Sequence, residues 1–480
     1  MRRQFLVNIL FLISLNVLIK PFWILGIDRT IQNTVGSEEY GIYFALFGFS
    51  FLLNTLLDFG ITNYNTWSIS RNPSFLKIGY KKLAVFKVLF GGIYLIGTLS
   101  LGLVSGYNGV EFQLLLGLSI SQFLLSFILF QRSILAGLQL FWLDSIFSVL
   151  DKLLLILLCS YLLWFNGNTR FQIEWLVLAQ IGCYGFVLVM LLVITQTKRS
   201  ALIISEPAEP INISVILKQS YPFALIILFM TFYYRIDAFM IERLLENGAE
   251  KAGYYAQSFR LFDVANNFVF LFTGLLFPML SKAISKNENT NATVNMVAQI
   301  LLIPAILFIP LSFGYGEQLL NKLYTDVSPN SLQVLILLSI AFVGLALTAV
   351  FGTVLTAAGR LNEMMRITFV GFVLNLLLNL VLIPNYEIAG AAAASGLIQV
   401  GTGIFMLLKC SKLQLINFPN AWLLKYCLSI ILSLVLVYFL KDSLETTFEL
   451  VIIILIQGCL IFGLRLFDLK QFTLSRFIKK

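Results

Sequence analysis

The feature that most constrains this chain is a series of apolar runs, near or above about 18 residues each, recurring from residue 5 to residue 464. Only short connections separate them. Each run can satisfy its own backbone as an α-helix inside a bilayer, where no water is present to do so. Fourteen spans are predicted, at 5–26, 41–63, 83–105, 112–131, 143–165, 174–195, 220–241, 253–277, 295–315, 331–356, 366–384, 388–408, 422–440 and 447–464. The fold class expected is therefore all-α: a polytopic membrane protein of about 14 transmembrane helices. With 59% hydrophobic and only 12% charged residues, too little polar surface is left to cover a water-soluble core of this size.

Arg2 and Arg3 precede the first run, but the run lacks a small-residue cleavage site and reads as a retained span. Orientation follows from the loops. Taking the N-terminus as cytoplasmic places Arg71, Lys77, Lys81, Lys82, Lys198, Arg199, Arg476, Lys479 and Lys480 on that side. The opposite side carries only Arg29, Arg170, Arg243, Lys251, Lys322 and Lys441. This bias predicts both termini in the cytoplasm. The net charge of +9 is then a positive-inside signature, helped by anionic membrane lipids, and calls for no nucleic-acid partner.

Histidine is absent. The commonest metal ligand, the Ser–His nucleophile pair and a His proton relay are thereby removed. The five cysteines lie in or beside apolar segments without paired spacing and read as small buried hydrophobes. No metal or cofactor is expected, and an enzyme is disfavoured. Asn291 opens an Asn-x-Thr triplet on a cytoplasmic loop, so no glycan is predicted there.

Two loops share the pattern G-x-E-x-x-G-x-Y, Gly36–Tyr43 and Gly248–Tyr255, 212 residues apart (248 − 36). Each lies on the outer side and opens an inward-running span, the second and the eighth. A parallel duplication of six-span halves is the expectation. It gives an N-terminal six-helix lobe over 1–200, a cytoplasmic linker at 201–219 with Pro207 and Pro210, and a C-terminal six-helix lobe over 220–410. Two additional helices and a basic tail follow over 411–480.

Six charged residues stand out within the predicted spans: Lys20, Asp58, Arg235, Asp237, Arg260 and Asp263. At the centre of an isolated span each costs about 2.5–3.5 kcal/mol, so such residues usually face an interior cavity. Lys20, Arg235 and Arg260 each fall six or seven residues from the outer end of their predicted span, about 9–11 Å in. Three cations at one depth suit a phosphate or diphosphate, because fixed charges replace the water the anion gives up. Arg260, Asp263 and Asn267 share one helix face, and Pro21 after Lys20 is expected to disturb the first helix. Competing readings stand beside this one. Lys20 and Arg235 reach to the outer interface, Arg260 and Asp263 neutralise each other as an i, i+3 pair, and Asp58 is a contact at a helix end. Arg235 and Asp237, two apart, point to different faces. Tyr233 and Tyr234 serve packing more readily than sugar stacking.

Several segments in fixed order carry a family resemblance. Arg235, Ile236 and Asp237 are followed by Ala252–Tyr255 and by Phe277, Pro278; the first half has Gly36–Tyr43 and Asp58, Phe59, Gly60. Ala358, Gly359, Arg360, then Ile383, Pro384 and Gly390–Ala392 follow. The chain thus resembles the Wzx-type, O-antigen polysaccharide-biosynthesis flippases of the multidrug/oligosaccharidyl-lipid/polysaccharide exporter superfamily, over nearly its whole length. The resemblance implies two six-helix lobes, with two further helices in some branches, that alternate between inward- and outward-facing states. It implies an undecaprenyl-diphosphate-linked oligosaccharide as substrate, its diphosphate held by Arg235, Arg260 and Lys20. Asp237, Asp263 and Asp58 would act as charge partners or in ion coupling. It also implies the bacterial inner membrane, near polysaccharide polymerase and chain-length proteins, and a monomer is expected because two halves form one cavity. A drug exporter of the same superfamily is the alternative, although it would favour acidic over cationic groups. A membrane polymerase or ligase ranks lower, because outer loops 27–40 and 316–330 are short.

Overall fold

A computed structural model describes residues 14–72, 75–165, 170–201, 213–285, 288–417, 419–441, 446–464 and 466. Arg2 and Arg3, the start of the first predicted span, Pro207 and Pro210, and Arg476, Lys479 and Lys480 lie outside them. All elements among the described residues are helical. Nine helices there are long and apolar enough to cross a membrane, or ten if the bent pair Ser37–Leu52 and Asn54–Ser70 forms one span. The chain is an all-α, multi-pass membrane protein. Four predicted spans (14 − 10) make the difference from the sequence expectation. The first begins outside the described residues, and Val451–Gly463 is a shorter apolar helix. Leu361–Lys412 counts once but holds two predicted spans, broken at Glu387 (φ 52°, ψ −134°) just after Pro384. Gly248–Ser285 carries the predicted eighth span and is not among the nine.

The chain divides into two units, Met1–Ala256 and Gln257–Lys480. In the first, a helix runs from residue 14 to Val35 and becomes π-helical over Trp23–Asp28, directly after Pro21. Proline has no amide hydrogen for the ladder, and a local change of hydrogen-bond register accommodates that loss. Gly36 (φ 94°) then turns the chain into Ser37–Leu52, whose first turn carries Glu38 and Glu39 beside the positive helix terminus.

Phe75–Val104 shows what bilayer solvation does to a helix. It buries Leu83, Lys87, Tyr94 and Thr98 on one face and exposes Val85, Val88, Leu89, Ile93 and Ile96 on the other. Such an apolar face in water would be an aggregation site, whereas here the acyl chains cover it. Lys87 turns inward because only protein can satisfy its ammonium there. The helix joins Ile61–Arg71 and Gly109–Gly137 around a core that includes Ile61, Ile69, Leu83, Phe130 and Ile134.

Ser37–Leu52 presents Gly41, Ala45 and Gly48 at i, i+4 and i+7, and there backbones meet. A Cβ on Gly41 would sit 1.8 Å from the Ala249 carbonyl oxygen, and one on Gly253 1.9 Å from that of Ser37. One on Gly48 would lie 2.9 Å from the Arg235 carbonyl oxygen. The two G-x-E-x-x-G-x-Y motifs thus pack on each other, glycine to backbone, as small residues allow between membrane helices.

In the second unit, Gly344 on Ser331–Ala357 meets the backbone of Gln399 in the same way, with 2.2 Å left for a Cβ. The last two helices, Asn420–Leu440 and Thr446–Gly463, lie against Asn291–Leu323 through Tyr315, Val437 and Ile453. Tyr315 Oη donates to Glu449 Oε2 at 2.9 Å and satisfies a carboxylate buried among aliphatic side chains.

Candidate functional site

The described spans carry more ionisable groups than the sequence reading marked. Lys87 and Asp151 are buried within them as well, and Lys152 is half-buried. Each lies in the first half of its predicted span, where a lysine or aspartate in a long apolar run is easily assigned to the adjoining loop.

Lys20 is half-buried on the first helix, and its electrostatic neighbours are Asp151, Lys152 and Arg132. Asn16, one turn earlier, donates to Ser148 Oγ at 3.2 Å, which fixes the first helix beside the start of Leu150–Trp164. Lys152 Nζ donates to Tyr184 Oη at 2.8 Å, lies 3.8 Å from Asp151 and sits over the Trp23 ring at 5.6 Å. Arg132 pairs with Asp144 at 2.7 Å. Lys20 therefore belongs to a mixed cluster of three cations and two carboxylates, built from residues far apart in sequence.

Arg235 lies over aromatic rings, with its guanidinium carbon 4.9 Å from the Tyr234 centroid, 5.5 Å from Phe51 and 6.0 Å from Phe47. Such stacking sets the guanidinium against the electron-rich faces of the rings and fixes its position. Asp237, two residues on, is buried and accepts a 2.7 Å bond from Tyr255 Oη. The two do point to different partners. A matching bond joins Tyr40 Oη to Asp28 Oδ2 at 2.7 Å, so each repeat motif supplies a tyrosine to a buried aspartate. Gln32 donates to the Gly253 carbonyl at 2.9 Å and ties the first helix to the second motif.

Asp58 lies where the Asn54–Leu57 3₁₀ turn gives way to Ile61–Arg71, with Phe59 (φ 44°) and Gly60 (φ 81°) in left-handed conformations. Its carboxylate accepts from the Thr62 amide and hydroxyl, and so does serve a helix end. Its stronger partner is Lys87, whose ammonium donates to Asp58 Oδ1 at 2.6 Å, Ser126 Oγ at 2.7 Å and the Leu57 carbonyl at 2.9 Å. All three ammonium protons are used in a site where Lys87 is almost wholly enclosed.

In the second unit, Arg260 and Asp263 form an i, i+3 ion pair at 3.6 Å, both more than nine-tenths buried. Asn267 follows on the same face and donates to the Asp263 carbonyl at 2.9 Å. The six residues singled out in the sequence are thus placed in four settings: Lys20 in its mixed cluster, Asp58 with Lys87, Arg235 and Asp237 on one helix, and Arg260 with Asp263.

The equal spacing of the cations from their helix ends needs correction. The helices run beyond the apolar stretches, so Lys20 is 15 residues from Val35, Arg235 nine from Leu244 and Arg260 12 from Gly248. At 1.5 Å per residue these are about 22, 14 and 18 Å. Hydropathy marks where a helix stops being apolar, whereas backbone hydrogen bonding decides where it ends.

Residues 5–284 match the family described as polysaccharide biosynthesis protein, well over half of the 480 residues. An uncharacterized membrane protein of Methanocaldococcus jannaschii is 25% identical over 206 residues, which are 42% of this chain and 40% of that relative. The match thus spans well under half the length of the curated relative. Among solved structures, the fold is similar to lipid II flippase MurJ, with a TM-score of 0.67 and 16% identity, over 98% of this chain and 100% of that one. It is also similar to the Vibrio cholerae MATE transporter VcmN, at a TM-score of 0.59 and 15% identity over 85% and 97%. A Pyrococcus furiosus transporter of the MOP superfamily gives 0.58 and 13% over 85% and 94%. By its sequence over residues 5–284, and with a transporter fold of the MurJ and MATE kind, this chain belongs to the polysaccharide biosynthesis protein family.

Proposed function

We propose that this protein is a flippase that carries undecaprenyl-diphosphate-linked oligosaccharide units from the cytoplasmic to the periplasmic leaflet by alternating access, for surface polysaccharide assembly. The observation that carries the reading is the set of cations held inside spans of a polysaccharide biosynthesis family member. Arg235 is stacked on three rings, and Lys20 sits among further charged groups that include Lys152 and Arg132. Fixed cations away from bulk water favour a diphosphate strongly, because they need no reorganisation to receive it. Arg235, Arg260 and Lys20 hold the head group, and Asp237, Asp263 and Asp58 are charge partners or ion-coupling groups. The chain crosses the inner membrane fourteen times as two six-helix lobes and two extra helices, with both termini in the cytoplasm. It works as a monomer, near polymerase and chain-length proteins, and its own chemistry is transport rather than catalysis. The alternative, a small-molecule exporter of the same superfamily, draws on the likeness to MATE transporters.

The test is complementation in a panel of bacteria that lack their own polysaccharide flippase and make different lipid-linked glycans. Wild type should restore surface glycan, whereas Arg235→Ala and Arg260→Ala should reduce it at least about tenfold at matched membrane levels. Lys20→Ala should have a smaller effect, because Lys152 and Arg132 share its surroundings. Restoration by wild type and by all three variants would remove these cations from the head-group site. Failure of well-inserted wild type in every strain of the panel would sink the flippase reading.

A further inference from the structure

Beside Asp58, the break between Asn54–Leu57 and Ile61–Arg71 opens into a pocket of about 320 Å³. That volume is at the lower end of the range for small-ligand sites, about 300–1,000 Å³. Asn54, Thr55 and Asp58 form one wall, Gln122 and Ser126 of Gly109–Gly137 a second, and Phe223 of Ile213–Leu244 a third. Two acceptors on these walls are left over. Gln122 is 3% exposed, yet its Oε1 has no hydrogen-bond partner, and the buried Thr55 Oγ1 has none either. An orphaned buried carbonyl costs about 1–3 kcal/mol, a cost that a ligand hydroxyl donating to it would remove.

The charges at the pocket decide what such a ligand is. Asp58 and Lys87 stand 2.6 Å apart and cancel, so the wall offers no net charge. An added cation would meet the Lys87 ammonium, and an added anion the Asp58 carboxylate, about one-third exposed towards the pocket. Left to satisfy are amide and hydroxyl oxygens that want O–H donors, flanked by the apolar faces of Phe59 and Phe223. A neutral ring with hydroxyl groups on its edge and C–H groups on its faces meets each requirement.

We propose that this pocket is a sugar subsite, in which Gln122, Thr55 and Asn54 accept and donate hydrogen bonds to one neutral hydroxylated ring of the lipid-linked glycan. The inference rests on the flippase reading and adds to it a place where the glycan, rather than the diphosphate, is recognised.

The experiment measures binding of undecaprenyl diphosphate to the full-length protein in nanodiscs. The lipid is used bare and carrying glucose, galactose, N-acetylglucosamine or N-acetylgalactosamine. At least one sugar-bearing lipid should bind about tenfold more tightly than the bare one. Gln122→Leu and Asn54→Leu should each erase that preference and leave the affinity for bare lipid unchanged. Retained bare-lipid binding also reports that a variant is folded, and Asn54→Leu carries the test if Gln122→Leu is not. If all four sugars bind like the bare lipid, or the preference survives in the folded variants, the subsite is overturned while the head-group reading stands. If no lipid binds, bare included, the flippase reading falls and the subsite with it. Saturable ²²Na⁺ binding that disappears in Asp58→Asn would make the pocket a cation site and also overturn the proposal.

Discussion

Alanine at Gly41 should lower the stability of the protein by on the order of 3 kcal/mol, and alanine at Gly253 by a similar amount. The added methyl at Gly41 would sit 1.8 Å from the Ala249 carbonyl oxygen, and that at Gly253 1.9 Å from the Ser37 oxygen. Neither obstacle is the tip of a flexible side chain. Both are backbone inside hydrogen-bonded helix turns, so whole helices must separate to admit one carbon. Separation also pulls Gln32 away from the Gly253 carbonyl and leaves a buried amide without its acceptor. Gly92 is the internal control, because a Cβ there meets nothing within 4 Å. Gly92→Ala should be neutral or slightly stabilising, through helix propensity alone. Thermal unfolding of the three purified variants in one detergent separates these outcomes. Gly41→Ala as stable as Gly92→Ala would mean that the repeat motifs do not touch. Combining Gly41→Ala with Gly253→Ala should cost less than the sum, since the first clash already opens the shared contact.

Breaking the Asp58–Lys87 pair should be strongly asymmetric. Asp58→Ala leaves a lysine side chain that is 1% exposed without its counter-charge, at a cost of about 3–5 kcal/mol. Lys87→Met removes the buried charge itself and replaces it with an apolar chain of similar length. Asp58, about one-third exposed, then keeps its Thr62 bonds and gains solvent from the pocket, so the loss should be about 1–3 kcal/mol. The double variant should recover most of the Asp58→Ala deficit, because no lone buried ammonium remains. Unfolding of the four proteins closes the cycle. Asp58→Ala no worse than Lys87→Met would show that water reaches Lys87 and that the pair is not enclosed.

Much of the candidate site could be named from the sequence, yet its grouping could not. Asp58, Arg235, Asp237, Arg260 and Asp263 stand out because a charge in an apolar run is costly wherever the helix points. Arg260 and Asp263 even reveal their partnership, since i, i+3 neighbours share a face by helix geometry. Lys87 does not stand out because it sits near the start of its predicted span, where a lysine reads as part of the loop. Its role emerges only from the contacts with Asp58, in the break before Ile61–Arg71, and with Ser126 of Gly109–Gly137. Gln122 gave no signal, because a buried amide becomes informative only when its neighbours fail to satisfy it.

The sequence by itself determined that the chain is helical, that it crosses a membrane many times, and that each of two like motifs leads into a helix, whereas the structure starts those helices within the motifs, at Ser37 and Gly248. Those properties follow from local physics: backbone groups must pair within each segment in lipid, and hydropathy over a single run reports it. Only the tertiary structure decided that Lys20 lies beside Asp151, that Lys87 neutralises Asp58, and that the two motifs press their glycines against each other's backbone. Each of these depends on how far a helix is rotated about its own axis and which neighbour it meets. Rotation is fixed by small packing and hydrogen-bond differences summed along whole helices, and no local stretch of sequence contains that sum.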